Sequence, residues 1–385
     1  MQVAARSRLA SFLASAIAVS LSLAGCAPLQ PRDPHPFGAE PGVWMPIEPG
    51  PLAARRDALG LSVGQVFMVV GGWDSPACPP NASCVGPEDP PLRDGALFDP
   101  ATGEWEQIAD APVPVSGHDA VVIGETVYLL TPEWGRADSP STFLSYNLTT
   151  DVWSELPAPP PGLGALVPAG EQLISVANSD EQRPAVDALF DPVSAQWREL
   201  PADPLGPSFD REAVWVGDRL LLTAKDLVPS PGSVKPAVVR LATFDPRAGE
   251  WELLPDTEII GWTPTFVNGL VVFPTLGFAD GGDVNNWGKE YPFGGIIDPT
   301  GSSFSALPGS ADDLRQTAFD GVVVGEAVIV SDVLLDPVTG TTSRIPALPA
   351  GLLLEPTMVG GTDSLFVWGG SSGTENTSSG YLLRF

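Results

Sequence analysis

A chain of 385 residues with 47 acidic and 19 basic side chains carries a net charge of −28, a field that repels nucleic acid and anionic headgroups. Its 43 prolines and 41 glycines cut the sequence into short runs and exclude an architecture of long helices. Beyond the first 25 residues no apolar stretch approaches the length of a membrane span, and no shift in composition marks a second domain after residue 42.

Residues 1–25 read as an export signal. Arg6 and Arg8 give a basic start, Leu9 to Leu23 is apolar apart from small serines, and Leu23-Ala24-Gly25-Cys26 sets small residues before a cysteine. The segment resembles a bacterial lipoprotein signal. That resemblance implies cleavage before Cys26, lipidation of Cys26, and a mature chain held on the outer side of a cytoplasmic membrane or in a periplasm. Loss of the first 25 residues removes Arg6 and Arg8 and no acid, taking the charge from −28 to −30. Residues 26–42 then form a tether: five prolines with few apolar residues favour an extended chain of about 50 Å, at about 3.1 Å per residue.

From residue 43 one phrase recurs. An apolar residue, Asp or Asn, usually Pro, and an aromatic seven positions after the first appear at Phe98 to Trp105, Tyr146 to Trp153, Phe190 to Trp197, Phe244 to Trp251 and Ile297 to Phe304, with a degraded copy at Leu335-Asp336-Pro337. The leading residues are 48, 44, 54, 53 and 38 positions apart, so one supersecondary unit is stacked repeatedly. Asp-Pro starts a tight turn, and the aromatics read as core between units rather than as a cofactor box.

Each unit resolves into four strands. The second follows a Gly turn (Gln65 to Val70, Thr126 to Leu130, Gln172 to Val176, Arg219 to Thr223, Leu270 to Phe273, Ala327 to Val330, Ser364 to Trp368). A first strand precedes each of these, as in Ala120 to Ile123 or Pro356 to Val359. The third ends in the Asp-Pro phrase, and the fourth begins near the Trp. Short strands at this spacing describe an all-β propeller. Second strands count seven blades, with six the alternative because the Ile297 and Leu335 units are weak. Val43-Trp44-Met45-Pro46-Ile47 supplies the outer strand of the last blade and closes the ring.

With those residues in view, the chain resembles the kelch-repeat β-propellers. The Gly-Gly pair that closes the second strand survives as Gly71-Gly72 and Gly369-Gly370, and the outer Trp survives in four internal blades and at Trp44. The resemblance implies a seven-bladed kelch-like propeller over residues 43–385 and says little of function, since propellers host unrelated activities. Copper chemistry of the galactose-oxidase type needs histidine ligands, and this chain offers only His35, in the tether, and His118. Asp280-Gly-Gly-Asp283-Val-Asn285-Asn286 reads as turns rather than a calcium loop, so no metal or cofactor is expected.

The candidate binding face follows from strand alternation. Second-to-third and fourth-to-first connections share one side of the ring, and the long connections here are of the first kind. They carry Trp73, Trp134, Arg136, Arg183, Trp287 and Tyr291, while Arg56, His118, Arg211 and Arg315 lead into first strands on the same side. Aromatics on variable loops point to recognition. Cys78 and Cys84, six apart in an exported chain, are expected to pair as a disulfide that staples the first long loop, the alternative being two free thiols or a metal pair. The expected function is therefore a monomeric, lipid-anchored, extracytoplasmic module that binds a glycan or an envelope protein without catalysis. The alternative is a sugar-acting enzyme, of mutarotase, epimerase or hydrolase type, using arginines and carboxylates at the channel mouth.

Overall fold

A computed structural model describes residues 42–385 apart from 80–81, 85, 118, 135–140, 161–163, 180–185, 227–236, 262, 275–293, 309–320 and 331. The described residues form 28 strands in seven four-stranded antiparallel sheets, the blades of a seven-bladed β-propeller, and no helix. β1 (Met45–Ile47) is followed by blade one: β2 (Leu59–Val63), β3 (Val66–Val70), β4 (Gly95–Asp99) and β5 (Glu104–Ile108). Blade two is β6 (Ala120–Ile123), β7 (Thr126–Thr131), β8 (Thr142–Asn147) and β9 (Val152–Leu156). Blade three is β10 (Gly164–Ala169), β11 (Gln172–Ala177), β12 (Ala188–Asp191) and β13 (Gln196–Glu199). Blade four is β14 (Ser208–Val216), β15 (Arg219–Asp226), β16 (Arg240–Asp245) and β17 (Glu250–Leu253). Blade five is β18 (Thr265–Val267), β19 (Leu270–Phe273), β20 (Gly295–Ile297) and β21 (Phe304–Ala306). Blade six is β22 (Val322–Val324), β23 (Ala327–Val330), β24 (Val333–Leu335) and β25 (Thr342–Arg344). Blade seven joins β26 (Thr357–Gly360), β27 (Ser364–Trp368) and β28 (Gly380–Arg384) to β1, in the order β26-β27-β28-β1.

The seven-residue spacing of the repeated phrase is a pairing distance. Its first and last residues face each other across the third-to-fourth hairpin in all six copies: Phe98↔Trp105, Tyr146↔Trp153, Phe190↔Trp197, Phe244↔Trp251, Ile297↔Phe304 and Leu335↔Thr342. The intervening acid makes the turn: Asp99 Oδ1 accepts from the N–H of Ala101 at 2.7 Å, Asp245 from Arg247 at 2.8 Å and Asp298 from Thr300 at 2.8 Å. Aromatic pairs then pack at a tilt across the hairpin, with ring centroids 5.0 Å apart for Phe98–Trp105 and 4.8 Å for Tyr146–Trp153.

Apolar packing lies between blades, as alternation in a strand with two buried faces requires. Seven clusters of buried side chains serve the seven blade-to-blade interfaces, for example Leu59, Met68 and Val70 against Val127, Leu129 and Tyr146 between blades one and two. The outer-strand tryptophans are less enclosed than core residues: Trp105, Trp153, Trp197 and Trp251 are half-buried, and only Trp44 is fully covered. Their rings lie on their own hairpins, and their indole N–H groups reach the preceding blade.

The N-terminal closure is present as β1 paired with β28, Met45↔Leu382 to Ile47↔Gly380. Pro46 sits on the outermost strand, the place in a sheet where a missing N–H breaks no ladder. Two strands run past their expected limits: β15 continues to Asp226, and β14 begins at Ser208 with an irregularity between Phe209 and Glu212. Arg211 falls in that irregularity, outside the ladder, and its N–H donates instead to Asn178 O of blade three at 2.8 Å.

Candidate functional site

Strand direction divides the propeller into a loop face, with second-to-third and fourth-to-first connections, and a turn face, with short hairpins. On the loop face, segments of blades seven and two meet over blade one, around the end of β3. Gly71 and Gly72 end β3 with φ of 69° and 86°, and a Cβ on them would lie 2.3 Å from Val115 O and 2.6 Å from Arg56 O. Only glycine lets the chain pass there, and it delivers Trp73 beside Arg56. The two residues exchange backbone hydrogen bonds of 2.8 and 2.9 Å, an isolated bridge that fixes both side chains.

Around that bridge the side chains converge. The Arg56 guanidinium carbon lies 6.0 Å from the centroid of a Trp73 ring, Arg56 Nε donates to Ser75 O at 2.7 Å, and Arg56 Nη1 pairs with Glu355 of blade seven. Trp73 meets Trp134, from the corresponding loop of blade two, edge-on at 4.9 Å between ring centroids and 64° between planes. Trp134 remains 39% exposed and the Glu355 side chain 45%, whereas the Arg56 side chain is 11% exposed. Asn376, on the last long loop, donates through Nδ2 to Trp73 O and Ser75 O at 3.1 and 3.2 Å, and its buried Oδ1 has no hydrogen-bond partner. The result is an aromatic corner open to solvent, edged by an ion pair and an amide. Such a corner can stack a ring and satisfy hydroxyl groups at its edge.

Beneath it lies a charge clamp. Arg55 is 1% exposed and makes a two-pronged contact with Asp94, at 2.7 and 2.8 Å, while Nη1 also donates to Gly71 O at 3.1 Å. The Arg55 guanidinium holds the Asp94 carboxyl below its ordinary range, against the opposing effect of burial. Arg55 thus anchors the end of β3 from which Trp73 projects.

Of the residues expected on this face, the structure brings together Trp73, Trp134 and Arg56. Arg211 is not presented to a ligand. It is 1% exposed, with Nη2 2.8 Å from Asp187 and Nη1 3.0 Å from Asp203. Its Nε also donates to Ala177 O at 2.9 Å, which ties blade four to blade three. Burial pushes the Asp187 carboxyl upward against the pull of Arg211, and the two carboxylates outweigh burial to hold Arg211 above its usual range. Cys78 and Cys84 are joined as a disulfide on an exposed stretch, and Ala77 N donates to Ser371 Oγ at 3.1 Å, latching the first long loop to blade seven. Cys26, His118, Arg136, Arg183, Trp287, Tyr291 and Arg315 lie outside the described residues, as does the Asp280–Asn286 segment.

Sequence reasoning missed Glu355 and Asn376. A signal existed for Asn376: the loop after Gly369-Gly370 occupies the position that the Trp73 loop holds after Gly71-Gly72. Nothing local marks Glu355 except its left-handed φ of 51°, which only the folded chain reveals. Among the described residues no group of three or more His, Cys, Asp or Glu side chains is placed to hold a metal ion.

The class that this fold defines is a seven-bladed β-propeller, here with an aromatic and charged corner on its loop face. Neither a protein-family model nor a curated protein matches the sequence.

Proposed function

We propose that the chain is a lipid-anchored, kelch-type binding module of the cell envelope that recognises a glycan through its loop face, without catalysis. The observation that carries this reading is the exposed Trp73–Trp134 corner beside the Arg56–Glu355 pair. Indole faces stack on the C–H surfaces of sugar rings, and a fixed guanidinium–carboxylate pair offers donors and acceptors to hydroxyl groups. The mature charge of −30 disfavours acidic polysaccharides and supports a neutral or basic ligand. Anchoring through Cys26 suits this geometry. In blade seven β1 begins at Met45 and β28 ends at Arg384 where other blades have the Asp-Pro turn, so the chain enters β1 on the turn face, opposite the long loops.

A sugar-acting enzyme would need an arginine or carboxylate at the channel mouth that is free to engage substrate. Arg211 is already engaged by Asp187 and Asp203 and is not available for that role.

The test is a glycan array probed with the mature protein, run beside a pull-down from envelope extract. Trp73→Ala with Trp134→Ala is expected to remove glycan capture while leaving the melting temperature within a few degrees. Retention only of an envelope protein would move the reading to protein recognition, and capture unaffected by both substitutions would show that another surface binds. For the anchor, wild-type protein is expected in the detergent phase of a detergent extraction, and Cys26→Ser protein in the aqueous phase.

A further inference from the structure

Four described segments form the aromatic corner of the loop face: 73–77 of blade one, 131–134 of blade two, 352–356 leading into blade seven, and 371–377 of its long loop. Their charged side chains are Asp74, Glu133, Glu355 and Glu375, every one acidic and exposed. The cation that meets them, Arg56, is 11% exposed, with Nε on Ser75 O at 2.7 Å and Nη1 on Glu355. The Asn376 amide commits Nδ2 to Trp73 O and Ser75 O and keeps Oδ1, a buried acceptor without a partner. The corner therefore offers acceptors and asks its ligand for donors.

Glu355 is the acid whose place in the corner is fixed by contacts. Its carbonyl oxygen accepts from Asp57 N at 2.8 Å, and one carboxylate oxygen holds Arg56 while 45% of the side chain stays open to solvent. From there the contacts run through the Arg56 guanidinium to the Trp73 ring, 6.0 Å away, and on to Trp134, 39% exposed, at 4.9 Å between centroids. An open carboxylate and an open indole thus stand at the two ends of one chain of contacts, a span suited to a run of sugar rings. Sugars bring donors as hydroxyl or as ammonium, and three features here favour ammonium. These are the exposed Glu355 carboxylate, the like charges of Asp74, Glu133 and Glu375 acting through the local field, and indole faces whose quadrupole attracts a cation. An acetamido group carries an N–H without the charge, and a uronic acid would set a further negative charge among four.

We propose that the corner takes an oligosaccharide of hexosamines whose amino groups are free rather than acetylated, an inference that rests on the glycan reading above. One ring stacks on the open face of Trp134, and the ammonium of a neighbouring ring lies against Glu355. Arg56 does not touch the ligand. It is a positioning residue, which holds Glu355 over blade one and presses the Trp73 loop into place through Ser75 O. Because the carboxylate and the ligand both stay partly in water, the preference for the amine is moderate and sensitive to salt.

Three tetrasaccharides with the same β-1,4 backbone test the proposal by calorimetry on the mature protein: those of glucosamine, N-acetylglucosamine and glucose. At slightly acid pH, where the amines are protonated, the glucosamine tetramer is expected to bind about tenfold more tightly than the other two at low salt, with the gap closing as salt rises. Glu355→Gln should bring the ratio of glucosamine to glucose affinity close to one. If that variant lacks a native melting transition, Asp74→Asn with Glu375→Gln decides, because both side chains are exposed: the ratio should fall by about two- to threefold. Equal binding of the three tetramers, lost in Trp134→Ala, overturns the free-amine proposal and leaves the glycan reading standing. A preference for the acetylated tetramer, or a ratio unchanged in folded Glu355→Gln protein, overturns it as well. No binding of any tetramer also overturns it, and the glycan array then decides the broader reading by itself.

Discussion

The indole Nε1 of Trp44 donates a 2.8 Å hydrogen bond to the carbonyl oxygen of Pro346, 302 positions further along the chain. The same contact recurs around the ring. Trp105 reaches Glu48 O at 3.1 Å, Trp153 reaches Ala109 O at 2.9 Å, Trp197 reaches Pro157 O at 2.7 Å and Trp251 reaches Pro201 O at 2.8 Å. Each outer-strand tryptophan thus holds the chain that leaves the outer strand of the preceding blade. For Trp44 that contact also closes the ring. Trp44→Ala is expected to cost about 3–5 kcal/mol in chemical denaturation, the range for a large buried aromatic. Trp44→Phe, which keeps most of the packing and loses the donor, should cost about 1 kcal/mol. Deleting residues 43–47 should lower the melting temperature far more than deleting 27–40.

Blades five and six lack the clamp. Phe304 and Thr342 stand where the tryptophans stand elsewhere, and Phe304 is 47% exposed. The cluster between these blades is wholly aliphatic, and six of their eight strands are three residues long. Amide hydrogen exchange is therefore expected to be fastest in β18 to β25 among the strands. Phe304→Trp restores a donor near Pro255, the counterpart of Pro201. It should stabilise the protein by about 0.5–1 kcal/mol and slow exchange in blade five.

The Asp-Pro turns make stability depend on pH. The Thr300 hydroxyl, with Ser302 and backbone N–H groups, holds Asp298 at about 2. Asp191 and Asp245 are lowered as well, by the Ser194 hydroxyl and the Arg247 N–H respectively. In the unfolded chain these carboxyls titrate near 3.9, so the unfolded state binds more protons as pH falls through this range. Their contribution is complete above about pH 4 and is lost as pH falls toward about 2. Melting temperatures should be level from pH 7 to 5 and fall steeply between 4 and 2. Asp298→Asn should lower the plateau and flatten the acid limb.

Arg211 is a structural tie between blades three and four. Removing it strands Asp187 and Asp203 beside each other in a buried place. Arg211→Met is expected to cost about 3–5 kcal/mol, and adding Asp187→Asn should recover part of the loss. Loop-face binding should survive below the lowered transition temperature. Loss of binding in a fully folded Arg211→Met protein would return the residue to the candidate site.

The repeat alone determined the architecture, because the seven-residue phrase is a local object: two cross-strand partners and the turn between them, all within one hairpin. Phe98 and Trp105 announce their pairing without reference to anything distant, and six copies fix a stack of blades. Ring closure was legible for a related reason, since a lone outer strand at Trp44–Ile47 matches the one missing from the last blade. The site was legible only as a face. Trp73, Trp134 and Arg56 could be assigned to one side of the ring from strand direction, but their meeting depends on how blades one, two and seven pack. Glu355 and Asn376 come from 299 and 303 positions away in sequence, as measured by their contacts to Arg56 and Trp73. The fate of Arg211 was likewise decided in three dimensions. A cation beside a channel mouth and a cation buried between two carboxylates look the same in a sequence, because burial and charge pairing are properties of the packed interface and not of the residue.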